Sequence, residues 1–396
     1  MTAGSLGNLS NELAMKLSTA RSLFAVAAIA TMAAFGAILG KKAPLFPARR
    51  LADGFPRKKQ FVNLNGGVCR ALGRRLCNGV YRSPDGMLLV ECKISESASK
   101  ATNTIAFAKW LDVRGIPYLY IQVPVKIDMA GSMLPSCFIH RGNEASDAFL
   151  SRLGEAAVNT LDLRKRFTAT PQSVKQHFYR TDHHWNNDAA FEAFCTIAPR
   201  VAALTGCDSE VVKPFLRRER WERNVVYRCF IGSQTRRTGT LFGGLDDVIV
   251  YSPRFQTKMT LQVPSKDILL SGDFRSTVMY RAGEVRPNKA RADAYSLVYT
   301  GVGGSYRMAR HVNPDAPIRR KLLLVGDSFA RPVEGLLSIL FTDVMALDQR
   351  CFVAGETVVG HVKSFKPDCV VQLNNPFAFG NARKRTNGMF EYGELR

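Results

Sequence analysis

The chain has 396 residues, 46% of them hydrophobic, and 55 Lys and Arg against 33 Asp and Glu give it a formal net charge of +22. That apolar content excludes disorder throughout and provides for a membrane segment plus one large domain or two modest ones. The charge suits polyanions or anionic lipid, but the basic residues fall in scattered pairs such as Lys41-Lys42, Arg217-Arg218 and Arg319-Arg320; with no basic helix and no aromatic platform, nucleic acid is not expected as a partner.

Residues 1–22 form an N-terminal tail, and residues 23–40, LFAVAAIATMAAFGAILG, carry no charge. At 1.5 Å per residue that run spans about 27 Å, the depth of a bilayer core, and it predicts a transmembrane signal anchor. Ala34-Phe35-Gly36 offers a small-x-small site for the competing reading, a cleaved signal peptide, although the tail in front is long for one. The flanks carry Lys16 and Arg21 on one side and Lys41, Lys42, Arg49, Arg50, Arg57, Lys58 and Lys59 on the other. By the positive-inside rule the remainder of the chain would then be cytoplasmic. Residues 41–60 hold three prolines and read as a basic tether, with the folded domain, 61–396, starting near Phe61.

Along the domain, Asn78 to Tyr81, a Pro84-Asp85-Gly86 turn and the apolar run 87–90 signal a hairpin. A helix over 101–114, Gly115, a strand over 118–123 and Pro124 make an α/β unit. An amphipathic stretch near 145–158 leads into 159–163, and Ala189, Phe191, Phe194, Ile197, Val201 and Leu204 recur at helical spacing before Gly206. From about 225 to 310 the texture becomes short β-like runs with glycines, among them 230–233, 238–240, 247–251 and 260–263, expected as a β-rich insertion. The α/β pattern returns with strands at 321–325, 343–347 and 369–373 and helices near 331–341 and 355–364. The nine cysteines include no Cys-x-x-Cys, so neither structural zinc nor dithiol redox chemistry is indicated.

Two segments carry chemistry. The strand Leu322 to Val325 runs into Gly326-Asp327-Ser328, at the carboxyl end of a strand where ligands bind in open α/β sheets. Ser328 is either a nucleophile beside free backbone N–H groups or simply a helix cap. A serine needs a base, and the base an orienting partner. Phe178 to Phe191 reads FYRTDHHWNNDAAF, a loop just before a helix. In an extended loop, residues two apart point the same way, which selects His184 as base and Asp182 as its orienter, with His183 as runner-up. Trp185 is expected in the core. Asp182, His183, His184 and Asp188 are close in sequence but lack His-x-x-x-His spacing, so no metal and no cofactor are expected. Asn374 and Asn375, after the last strand, and Arg350, after the strand ending in Asp348, are candidate oxyanion or substrate contacts.

The ordered set of motifs resembles the DHHW family, relatives of the SGNH-hydrolase-like proteins of bacterial alginate O-acetylation. It comprises Asn78-Gly79-Val80-Tyr81 with Asp85-Gly86, Val123-Pro124-Val125-Lys126, Thr181 to Trp185, Gly232-Ser233 with Thr238-Gly239, Gly326 to Phe329, Asp348-Gln349-Arg350 and Lys366-Pro367-Asp368. The resemblance implies an SGNH-hydrolase-like three-layer α/β/α domain with a parallel sheet. It also implies a triad on Ser328, His184 and Asp182, in permuted order because the serine block follows the acid and base. The implied activity is O-acyl, chiefly O-acetyl, transfer to an extracellular glycan through an acyl-serine, with a membrane acyltransferase as partner supplying the donor. It places the domain outside the cytoplasm, against the flanking charges. The competing expectations are a carbohydrate esterase with the same triad and a catalytically silent, glycan-binding cell-surface protein.

Overall fold

The computed structural model describes residues 58–94, 98–291, 294–299, 304–380 and 389–395. The apolar run 23–40 and most of the tether lie outside them, and among the described residues no helix is long and apolar enough to cross a membrane. The first described helix, Lys58–Ala71, begins within the expected tether and takes in its last three residues.

The centre is an eight-stranded sheet. Its strands are β4 (Tyr118–Gln122), β5 (Thr160–Asp162), β8 (Met259–Val263), β9 (Ile268–Gly272), β10 (Met308–Val312), β11 (Ile318–Gly326), β12 (Phe341–Leu347) and β13 (Cys369–Asn374), in the order β5-β4-β13-β11-β12-β10-β8-β9. A three-stranded sheet, β1 (Leu76–Cys77), β2 (Val80–Arg82) and β3 (Leu88–Leu89), and a ribbon of β6 (Trp221–Phe230) with β7 (Asp246–Pro253) stand beside it.

The five strands from β5 to β12 are parallel. Every residue of β4 and β13 is buried, as a sheet covered on both faces requires. On one face Phe107 of the helix Ala98–Asp112 meets Tyr118 with ring centroids 5.8 Å apart, and Phe149 of the helix Gly142–Glu155 meets Tyr120 at 4.9 Å. The helices Asn187–Leu204 and Arg331–Leu337 pack on each other and against β13 and β12, and supply the second layer.

The expected wholly parallel sheet is corrected at its other half: β10 lies antiparallel to β12, and β8 and β9 continue antiparallel, so the sheet is mixed. The reason is local. Met259, Leu261 and Val263 are buried while Thr260 and Gln262 are not, the alternation of a strand with one covered face, and β8 and β9 are consecutive hairpin partners. Part of the β-rich stretch therefore extends the main sheet. The β-like runs 230–233 and 238–240 are not strands of their own: Phe230 ends β6, and the others flank two short helices, Ser233–Thr238 and Thr240–Gly243.

Candidate active site

β11 delivers Gly326 to the carboxyl edge of the sheet, where a Cβ would come within 2.8 Å of the Leu373 carbonyl and 2.6 Å of the Ala330 Cβ. Only glycine allows the chain to turn so tightly between β13 and the following helix. Asp327 is buried and braces the turn: its carboxylate accepts the N–H groups of Phe329 at 2.8 Å and Asn375 at 2.9 Å. Burial raises its pKa, against the charge of Arg350 and those two hydrogen bonds. Ser328 opens the turn of 328–330. The following helix is capped at Ala330 without a side-chain bond, so Ser328 is not its cap. Its own N–H donates to no acceptor among the described residues.

The Ser328 hydroxyl donates instead to His184 Nε2, 2.7 Å away across 144 positions of sequence. His184 Nδ1 donates to Asp182 Oδ1, and the same oxygen accepts the His184 backbone N–H at 3.0 Å. The other oxygen, Oδ2, accepts the Tyr295 hydroxyl at 2.6 Å and the Ser233 N–H at 2.5 Å. Burial opposes the Asp182 charge, but the His184 and His183 imidazoles and these hydrogen bonds outweigh it and hold the carboxyl well below its usual range. Tyr299 places its hydroxyl 3.4 Å from His184 Nε2.

The loop carrying Asp182 is fixed from below and from the side. Lys126 is buried, and its ammonium donates to the carbonyls of Leu88, Arg180 and Asp182, each at 2.8 Å, and to Gln234 Oε1 at 3.0 Å. Burial draws its pKa down to about 7, with Asp246 and Asp182 opposing. Asp246 Oδ2 accepts the Thr181 N–H at 2.7 Å and hydroxyl at 2.6 Å. Gly232 lets the next helix approach: a Cβ there would lie 2.2 Å from the Thr181 carbonyl oxygen. Its neighbour's N–H thereby reaches Asp182.

A cavity of about 340 Å³ opens over Ser328, lined also by His183, Gln234, Arg237, Arg350 and Asn375, with Val90, Phe377 and Met389 on its apolar side. Of the predicted contacts, His183, Arg350 and Asn375 line it and Asn374 does not. Asn374 is fully buried, and its Oδ1 accepts from Gln372 at 2.8 Å. Asn375 keeps Oδ1 on the Phe377 N–H at 2.7 Å. Arg350 is held by a bidentate pair with Asp348 at 2.9 and 2.7 Å. His183 Nδ1 shares a hydrogen bond with the Ser233 hydroxyl at 2.8 Å, and burial followed by the neighbouring His184 imidazole lowers it to about 3, so it is neutral. Trp185 is fully buried against Phe167 and Phe329.

Ligand atoms of Asp182, His183 and His184 lie within 4.8 Å of one another, the one group among the described residues close enough for a metal. Both nitrogens of His184 and both oxygens of Asp182 are already engaged in the hydrogen bonds above, an arrangement that suits proton transfer rather than ligation. Sequence reasoning assigned no role to Lys126, Ser233, Tyr295, Tyr299 or Arg237. Lys126 and Ser233 stood inside the quoted motifs, whereas the tyrosines gave no signal.

The doubly covered sheet carries a serine on a strand-edge turn with an imidazole on its hydroxyl, and residues 86–224 match the family model described as SGNH hydrolase-like domain, acetyltransferase AlgX. The match includes Asp182 and His184 and ends before Ser328. Bacillus cereus PatB1 shares the fold at 17% identity and TM-score 0.64, over 79% of this chain and 99% of that one. The same protein with a sulfonyl adduct aligns at 16% and 0.62, over 80% and 100%. A DHHW family protein from Eubacterium siraeum aligns at 16% and 0.56, over 79% and 97%. No curated protein matches in sequence. The resemblance to the DHHW family is found at the level of the fold, and that to the alginate O-acetylation proteins in the family model over residues 86–224.

Proposed function

We propose that the chain is a membrane-anchored O-acyltransferase that moves an acyl group, chiefly acetyl, to a hydroxyl of an extracytoplasmic glycan through an acyl-serine. The observation that carries this reading is the 2.7 Å hydrogen bond from the Ser328 hydroxyl to His184, whose other nitrogen is held by ionised Asp182. In the first half-reaction Ser328 Oγ attacks the donor's acyl carbon while His184 Nε2 takes its proton. The oxyanion forms beside the Ser328 N–H. The donor bond then breaks, and His184 returns the proton to the leaving oxygen. In the second half a glycan hydroxyl gives its proton to His184 and attacks the acyl carbon, and collapse restores the serine. Asp182 stays ionised throughout, fixing the tautomer and stabilising the imidazolium.

His183, Arg237, Arg350 and Asn375 are the groups placed to contact donor and acceptor in the cavity. Extracytoplasmic placement rests on the family resemblance and on the apolar run 23–40, against the charges that flank it. A sulfonyl fluoride probe followed by peptide mass spectrometry tests the nucleophile: the adduct is expected on Ser328 and to vanish in Ser328→Ala. An adduct elsewhere, or acetyl transfer by Ser328→Ala at the wild-type rate, removes the mechanism.

A further inference from the structure

We infer that the outer face of the helix Lys58–Ala71 seats on an anionic lipid bilayer and holds the mouth of the catalytic cavity at the membrane surface. Phe61, Leu64, Val68 and Leu72 recur at three and four residues and share one side of this helix and its extension. Leu64 is 46% exposed and Leu72 51%, and Leu241, 51% exposed, lies against Gly67 beside them. Large apolar side chains gathered at an exposed surface mark a contact site.

Charge selects the occupant. Residues 58–82 hold six Lys and Arg, namely Lys58, Lys59, Arg70, Arg74, Arg75 and Arg82, and no Asp or Glu. Exposed apolar side chains in a segment that carries cations and no anions match the interface of an anionic bilayer. Continuity in the chain agrees. Residues 41–57 alone separate this helix from the apolar run 23–40, so an inserted run would keep it within about 60 Å of the membrane even with the linker fully extended.

The helix is joined to the cavity wall. Asn63 Oδ1 accepts the Thr240 hydroxyl at 3.0 Å and the Leu241 N–H at 2.9 Å, and Arg70 donates to the Leu241 carbonyl at 3.2 Å. Gly66 abuts the Thr238 carbonyl, where a Cβ would meet it at 1.9 Å. Thr238 belongs to the same short helix as Ser233, Gln234 and Arg237, which line the cavity. A membrane contact at Leu64 is therefore one helix away from the groups over Ser328, which suits an enzyme that takes its acyl group from a donor at the bilayer.

This inference rests on the membrane anchoring proposed above, and its test reads lipid contact independently of activity. The full chain, with p-benzoylphenylalanine at position 64 or 72, is reconstituted into phosphatidylcholine vesicles with and without phosphatidylglycerol and irradiated. Vesicle flotation reports anchoring, and the adducts report the face. Phospholipid adducts are expected at both positions, reduced roughly fivefold or more in vesicles lacking phosphatidylglycerol. Position 113 serves as control, since Val113 is 83% exposed on a different helix end. The inference fails if the chain floats but positions 64 and 72 give no more lipid adduct than 113. It fails equally if the adducts join two copies of the chain or join the helix to residues 23–40, or if the chain does not associate with the vesicles.

Discussion

Ser328 and His184 are set apart from the other serines and histidines by what surrounds them. The serine hydroxyl is held by an imidazole, and that imidazole by a carboxylate that itself accepts from Tyr295 and the Ser233 N–H. Ser328→Ala should abolish acyl-serine formation and transfer while leaving the urea midpoint within error. Asp182→Asn preserves the size of the side chain but removes the charge that orients the imidazole, and kcat should fall roughly 10³- to 10⁴-fold in steady-state assays. Tyr295→Phe removes one hydrogen bond to a charge, a loss of about 1.5 kcal/mol, and should lower kcat by roughly tenfold.

His183 makes a prediction about pH. Its imidazole is lowered to about 3 by burial, so between the ordinary value of 6.5 and about 3 the unfolded chain binds a proton that the native state does not. Native stability therefore falls as pH drops through that window. His183→Asn should flatten this part of the stability–pH profile measured by urea denaturation, while Asp182, depressed below its ordinary value, still loses its stabilising contribution at lower pH.

At the scale of elements, the strand-edge turn and the loop of Asp182 and His184 are held by groups that belong to neither. Lys126 satisfies three main-chain carbonyls from two segments together with Gln234. Lys126→Ala leaves buried acceptors unpaired and should cost about 3 kcal/mol in urea unfolding. Gly232→Ala would drive a methyl into the Thr181 carbonyl and displace the Ser233 N–H from Asp182. Its activity should fall more than its stability.

The elements were legible where periodicity or alternation is strong: the buried runs of β4, β11 and β13 and the helix Asn187–Leu204 fall within a few residues of expectation. They were not legible at 230–240, where glycines within β-like runs instead cap the helix Ser233–Thr238, Gly232 at its start and Gly239, at φ 85°, at its end. Asn374 and Asn375 show a similar limit. Adjacent residues leave a strand in different directions, and Gln372 retains Asn374 on its own face, so only Asn375 reaches the cavity.

For the whole molecule, the positive charge and the two faces of the sheet set what it can meet. If the glycan acceptor is anionic, attraction to a +22 protein is screened by salt. KM for such an acceptor should rise with ionic strength, whereas kcat on a small neutral ester should stay level. Binding that is screened by salt but indifferent to Ser328→Ala, without turnover, would mark a silent glycan-binding protein instead.

The sequence by itself determined the candidate residue types and their spacing: an Asp and a His two apart in the loop before a helix, which is a run of bends closed by the Asp182 carboxylate on the His184 N–H rather than the extended stretch expected, and a serine on a turn that only glycine permits. Local spacing controls which way such side chains point, so these could be read without a fold. Only the tertiary structure decided that the serine and the imidazole meet across 144 residues, that the sheet reverses direction after β12, and that Tyr295 and a backbone N–H complete the shell of Asp182. Main-chain donors have no side-chain identity, and long-range register depends on packing both faces of the sheet at once. Neither leaves a mark on neighbouring letters of the chain.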